Sequence, residues 1–229
     1  MAPSPGTALD AVIFDLDGVL VDSEGWWNDV RIAFAHAHGR AWTSDDQHAV
    51  MGGNSREWAS TMRERLQLTA LTIDEIEKAV VDGVVGLYAT RPSPVIDDAP
   101  AHVRRIARDR PVAIASSSHP RVIAAAVAAL GIADAMGAIV SSDEVAAGKP
   151  APDVYLAAAE RLGVDAARCL VVEDSLNGVR AGLAAGMTVV LVPNASVPPA
   201  GNATDLAHHV VRSLAELDPD ALAVMTARH

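Results

Sequence analysis

Five short apolar runs rich in Val and Ile limit what this chain can fold into: AVIFDL (11–16), PVAIAS (111–116), GAIVS (137–141), CLVVE (169–173) and TVVLV (188–192). Apolar runs of this length, without polar alternation, suit strands covered on both faces, as in a parallel sheet. Segments around 120–130, 151–162 and 177–185 separate the last four and carry apolar residues at helical spacing. Gly131, Gly163 and Gly186 stand where those helices would stop. The expected fold class is α/β, a doubly wound, Rossmann-like parallel sheet.

The first two runs break the rhythm. Roughly ninety residues lie between them, where a parallel crossover needs only a dozen or more. Within that gap 26–38, 55–67 and 73–89 read as helices, and no convincing strand is present. RPSPVIDDAP (91–100) reads as a hinge, because three prolines in ten residues resist both helix and sheet. The expected organisation is a core of 1–21 and 95–229 with a helical insert, 22–94, over the carboxyl end of the first strand.

Half of the 229 residues are apolar, enough for a sizeable buried core. With 18 basic against 29 acidic side chains the net charge is −11, which opposes binding to nucleic acid or an anionic membrane. A single cysteine, Cys169, excludes an intrachain disulfide framework; it sits in an apolar strand and reads as buried and inert. The opening MAPSPGTAL lacks the basic and long apolar regions of a secretory leader, and no run is long enough to span a membrane. A cytoplasmic protein is expected, with a monomer as its simplest state.

In such a sheet, ligands bind beyond the carboxyl ends of the strands. Asp15 and Asp17 lie there after the first run, Ser116–Ser118 after the second and Glu173–Asp174 after the fourth. The loop AAGKPAPD brings Lys149 to the start of a helix. Like charges so placed repel unless something binds them. An oxygen-rich set of this kind suits Mg2+, which shares its shell with waters and a phosphate. Only Lys78 and Lys149 are lysines among the 18 basic residues, so a compact point charge at position 149 stands out.

DLDGVLVDS, the serine-ended second strand, GKPAPD and VVEDSLNG resemble, in order and spacing, the four motifs of the haloacid dehalogenase-like superfamily of phosphotransferases. The resemblance covers nearly the whole chain and is closest to the branch of sugar-phosphate phosphatases and β-phosphoglucomutase. It implies Asp15 as nucleophile and Asp17 as general acid and then base. It implies Mg2+ against Asp15, the Asp17 carbonyl and Asp174, with Glu173 a further ligand, direct or through water. Ser116 and Lys149 would grip the phosphoryl group of a small phosphorylated metabolite.

The segment MGGNSREW (51–58) resembles the cap loop whose arginine takes the distal part of the substrate, which makes Asn54, Ser55 and Arg56 candidates for substrate binding. Trp27, Ser117, Ser118 and His119 are further candidates. Each has a plainer reading beside it: Arg56 as a surface charge, the tryptophan pair Trp26–Trp27 as core, the serines and His119 as helix caps or solvated side chains. Ser175 and Asn177 read as caps and loop supports, and Asp22 as a shaper of the exit loop. Trp27 occupies the place of a cap histidine found in the mutases, and Lys78 falls ahead of their cap lysine, so hydrolysis is favoured over phosphoglucomutase-type isomerisation. Asp17 argues against dehalogenation. A receiver-type signalling domain shares the acid, hydroxyl and lysine set but needs neither Asp17 nor a large helical insert.

Overall fold

The structure, a computed structural model, describes residues 9–226; the opening residues 1–8, read above for a leader, lie outside the described residues. β1 (Ala11–Phe14), β2 (Val112–Ser116), β3 (Met136–Ser141), β4 (Cys169–Glu173), β5 (Thr188–Leu191) and β6 (His209–Val210) form one parallel sheet in the order β3-β2-β1-β4-β5-β6. The expected doubly wound sheet is present, and it gains β6 at one edge. Two residues with one histidine carry too little apolar pattern to announce a strand.

Side chains alternate between the two faces of the sheet, as the period of two requires. Val12, Phe14, Ile114 and Val172 belong to one apolar cluster, Ala11, Ile13, Ala115 and Val171 to the other. The first cluster takes α5 (Ala99–Ala107) and α6 (Pro120–Leu130) through Val103, Ile106, Val122 and Ile123. The second takes α7 (Asp153–Leu162) and α8 (Leu176–Ala184) through Val154, Tyr155 and Val179. Each Val or Ile so buried contributes about 1.5–3 kcal/mol relative to exposure. α9 (Ala203–Leu206) and α10 (Pro219–Thr226) complete the chain.

Between β1 and β2 run α1 (Glu24–Ala37), α2 (Ser44–Val50), α3 (Ser55–Arg65) and α4 (Ile73–Thr90), with no named strand among them. α2 was not legible in the sequence: Val50 is its one buried side chain, and its start is fixed by a capping box between Thr43 and Asp46. The hinge segment ends sooner than expected, because Ala99 and Pro100 already open α5. A proline in the first helical turn loses no bond, since its missing N–H would have no intrahelical partner.

The two connectors of the helical segment lie side by side. The Asp22 amide donates to the Pro94 carbonyl at 2.8 Å, the Ile96 amide donates to the Leu20 carbonyl at 3.1 Å, and Val21 bridges Val95 antiparallel.

α1 and α4 pack closely where Gly83 meets Val30: a Cβ on Gly83 would sit 2.6 Å from Val30 Cγ1, whereas one on Gly86 would meet nothing within 4 Å. Gly83→Ala is therefore expected to destabilise the protein by about 1–3 kcal/mol through overpacking. Gly86→Ala, exposed in the same helix, is expected to stabilise it by about 0.5–1 kcal/mol. Urea unfolding of the two variants tests this, and effects of equal sign would contradict the packing described.

Candidate active site

The strand order reverses between β1 and β4, and a crevice opens at their carboxyl ends. Asp15 follows β1 directly, its amide still bonded to the Val172 carbonyl at 2.9 Å, and is 7% exposed. Glu173 ends β4 at 1% exposure, and Asp174 follows it. One carboxylate oxygen from each of Asp15, Glu173 and Asp174 lies within 4.8 Å of the others. Lys149 reaches between two of them: its Nζ donates to Asp15 Oδ1 at 2.5 Å and to Glu173 Oε1 at 2.6 Å.

Glu173 has a full set of partners. The Tyr155 hydroxyl donates to Oε1 at 2.7 Å, while Oε2 accepts from the amides of Asp174 and Ser175 and from the Ser175 hydroxyl at 3.0–3.1 Å. The ring of Tyr155 also lies 4.8 Å from the Lys149 ammonium. Two glycines make this crowding possible. Gly18 has a φ of +95°, open to glycine but rarely to other residues, and a Cβ there would fall on the Asp174 carboxylate. A Cβ on Gly178 would fall on that of Glu173.

One lysine cannot balance three carboxylates, and their ionisation reflects it. Burial pushes the Asp15 carboxyl up to about 8 in spite of Lys149, and the charges of Glu173 and Asp17 push it the same way. Burial, with Glu173 and Asp15 beside it, holds Asp174 well above the ordinary carboxylate range. Burial opposes ionisation of Glu173 too, but Lys149, the Tyr155 hydroxyl and the Ser175 amide outweigh it and hold that carboxyl low. Lys149 is held well above its usual value by Asp15 and Glu173 despite its burial. The surplus negative charge and all-oxygen donor set fit a divalent cation such as Mg2+.

Asp17 lines the same cleft and is bound to serines. Ser118 Oγ donates to its Oδ2 at 2.7 Å, Ser23 Oγ donates to its Oδ1 over a short contact, and Ser116 Oγ lies 3.4 Å from Oδ2. The Ser116 hydroxyl also accepts from the Ser118 amide at 3.0 Å. Ser117 lines the same cleft, whose volume is about 320 Å³, at the lower end of the usual range for small-molecule sites. Trp27 forms part of its wall.

Four of the candidates lie away from the cleft. Arg56 is exposed and pairs with Asp74 at 3.3 Å. Asn54 caps α3 by accepting from the Glu57 amide, and the Ser55 amide donates to Asp143 Oδ1 at 2.9 Å. His119 caps α6 through Nδ1, and its Nε2 lies 3.7 Å from Glu77 on α4. Ser175 caps α8, as its sequence context suggested.

A profile of haloacid dehalogenase-like hydrolases matches residues 9–186. The chain belongs to that family. It is 33% identical over 210 residues to a bifunctional riboflavin kinase/FMN phosphatase of Arabidopsis thaliana; the match covers 90% of this chain but 54% of that one, so the chain spans about half of that relative's length. It is 30% identical over 183 residues to the fructose-1-phosphate phosphatase YqaB of Escherichia coli, covering 78% and 94%. The crystal structure of a β-phosphoglucomutase from Clostridium difficile superposes with a TM-score of 0.81 at 21% identity, over 96% of this chain and 98% of that one, a likeness of fold. The expected hydrolase and its Rossmann-like core with helices over the cleft are thus in place. No helix among the described residues is long and apolar enough to cross a membrane.

Sequence reasoning missed four side chains of this hydrolase's site. Tyr155 was hidden in an apolar helix pattern, and Glu24, Arg31 and Trp58 line the cleft from α1 and α3. For Arg31 there was a signal: Trp27, Arg31 and Ala35 recur every fourth residue on the buried stripe of α1, where an arginine is out of place.

The raised carboxyls give a signed pH dependence. Folded Asp15 keeps its proton up to about 8, while an unfolded chain releases it near 3.8, so the stability this proton brings is full below 3.8 and lost as pH rises towards 8. Asp174 acts in the same direction, whereas Glu173, held low, contributes only above about 4.5 and is lost in acid. In chelator-treated protein the melting temperature is expected to fall between about pH 5 and 8, followed by circular dichroism. A rising melting temperature over that window would contradict the crowding of carboxylates.

Proposed function

We propose that this chain is a Mg2+-dependent phosphatase of a small phosphorylated metabolite, a sugar or sugar-alcohol monophosphate, acting through an aspartyl-phosphate on Asp15. The observation that carries the reading is the contact of Lys149 with Asp15 at the floor of the cleft, with Asp174 and Glu173 within 4.8 Å and Asp17 lining the same cleft. The phosphatase relatives support it, as does a cleft of small-molecule size, about 320 Å³. Residues 22–94 serve as the cap that selects the substrate and excludes water, on a core of 1–21 and 95–229.

Asp15 Oδ attacks phosphorus while the bond to the leaving oxygen breaks, and Asp17 supplies the proton that oxygen needs. Asp17 then takes a proton from water, which attacks phosphorus and frees Asp15 and inorganic phosphate. Lys149, Ser116 and the Ser117–Ser118 segment hold the phosphoryl oxygens. Asp15, the Asp17 carbonyl and Asp174 would hold a Mg2+, which would supply neutralisation of the phosphoryl charge. Glu173, with both oxygens already bonded, orients Lys149. Hydrolysis is favoured over a mutase because Trp27, packed on Trp58, offers no proton at the cap, and Lys78 is exposed and paired with Asp82.

Release of inorganic phosphate from a panel of phosphorylated metabolites tests this. Asp15→Asn is expected to lower kcat by about 10³-fold or more, and chelation of divalent ions to stop turnover until Mg2+ is returned. Activity near the wild-type level in Asp15→Asn would refute the nucleophile, and full activity in chelator would refute the metal.

A further inference from the structure

Arg31 is an anomaly on α1: a guanidinium 4% exposed, on the apolar stripe of its helix, at the wall of the cleft. It lies over Trp27 and Trp58, 5.1 and 5.7 Å from the ring centroids. Its Nε is buried and, among the described residues, has no hydrogen-bond partner. Its nearest carboxylate oxygen, Glu24 Oε1, is 3.9 Å from NH1, beyond hydrogen-bond reach. Glu24 lines the same cleft and is fixed by a relay: Trp42 Nε1 donates to Gln47 Oε1 at 3.0 Å, and Gln47 Nε2 donates to Glu24 Oε1 at 2.5 Å. A buried guanidinium with an unpaired donor is costly, so its retention in the wall of a cavity points to a ligand that engages the side chain there.

Charge decides which ligand. Among the described residues, six carboxylates and two cationic side chains, Lys149 and Arg31, line the cleft. Even with a divalent ion present, a second anionic group on the substrate would enter a field that is still negative, with Glu24 beside the one cation left to meet it. A hydroxyl has no such difficulty: it accepts from the guanidinium and donates to the carboxylate, while the tryptophans cover the carbon skeleton.

Resting on the phosphatase reading, we propose that Arg31 and Glu24 together are the specificity pair of this cleft. They grip a hydroxyl of an uncharged polyol tail, so the enzyme selects polyol monophosphates against sugar bisphosphates and phosphorylated acids. The cap-loop Arg56, exposed and paired with Asp74, takes no part in this selection.

The test joins a binding arm and a turnover arm. In the binding arm, quenching of tryptophan fluorescence is titrated with a ketose 1-phosphate, a sugar bisphosphate and phosphoglycolate on the wild-type, Arg31→Met and Glu24→Gln proteins. The ketose 1-phosphate is expected to bind the wild type at least tenfold tighter than the other two, and either substitution to weaken it by about ten- to a hundredfold. In the turnover arm, KM for the ketose 1-phosphate is expected to rise in the variants by at least about fivefold more than KM for p-nitrophenyl phosphate, which has no polyol. Preference for the bisphosphate or the acid, no binding of the ketose 1-phosphate, or equal losses on both turnover substrates would overturn the proposal. Should Arg31→Met not fold, Glu24→Gln alone decides. Selective binding without release of phosphate from any ester would uphold the pair and overturn the phosphatase reading.

Discussion

Lys149 holds together two carboxylates that come from different strands, and the arrangement of the cleft floor depends on that contact. Asp15 and Glu173 reach the same point because β1 and β4 are neighbours in the sheet although more than a hundred residues apart in the chain. Burying an ammonium costs several kcal/mol, which only good geometry and further hydrogen bonds can offset. Here the offset is visible: Tyr155, two backbone amides and the Ser175 hydroxyl complete Glu173, and two glycines leave room for the carboxylates to approach. One ammonium does not balance Asp15, Glu173 and Asp174 together, and that surplus of acid is what a divalent cation would meet.

The sheet order explains why this spot was chosen. Chains leaving β1 and β4 turn to opposite faces, so the tips of these two strands are the place where no crossover helix closes the edge. The segment after β2 adds its serines from one side, and the helices between β1 and β2 supply a wall of tryptophan, arginine and glutamate from above. The acidic floor and the aromatic wall of the cleft are therefore built by different stretches of sequence. Only the floor has strong local signatures.

That division accounts for what could be read in advance. The five apolar runs are strands because both their faces are covered, a condition written directly into residue type. Asp15, Asp17, Lys149 and Glu173–Asp174 stand out because charge at the end of such a run is costly and conspicuous. α2 and β6 escaped notice because caps and one edge pairing hold them, with little burial. In the wall, direction matters more than identity. Arg56 and Trp58 are two residues apart on α3, yet one is exposed to solvent and the other is buried, a difference of helix phase that the motif MGGNSREW does not reveal. Arg31 needed the reverse attention: its helix phase was readable, but the two rings enclosing it come together only in three dimensions.

The paired connectors at Val21 and Val95 carry a consequence for how such a molecule can change over generations. A segment that departs and returns through adjacent points can be lengthened, trimmed or replaced without rethreading a single strand below it. Hydrolytic machinery of one kind is thereby free to be offered under different roofs, each admitting its own guest.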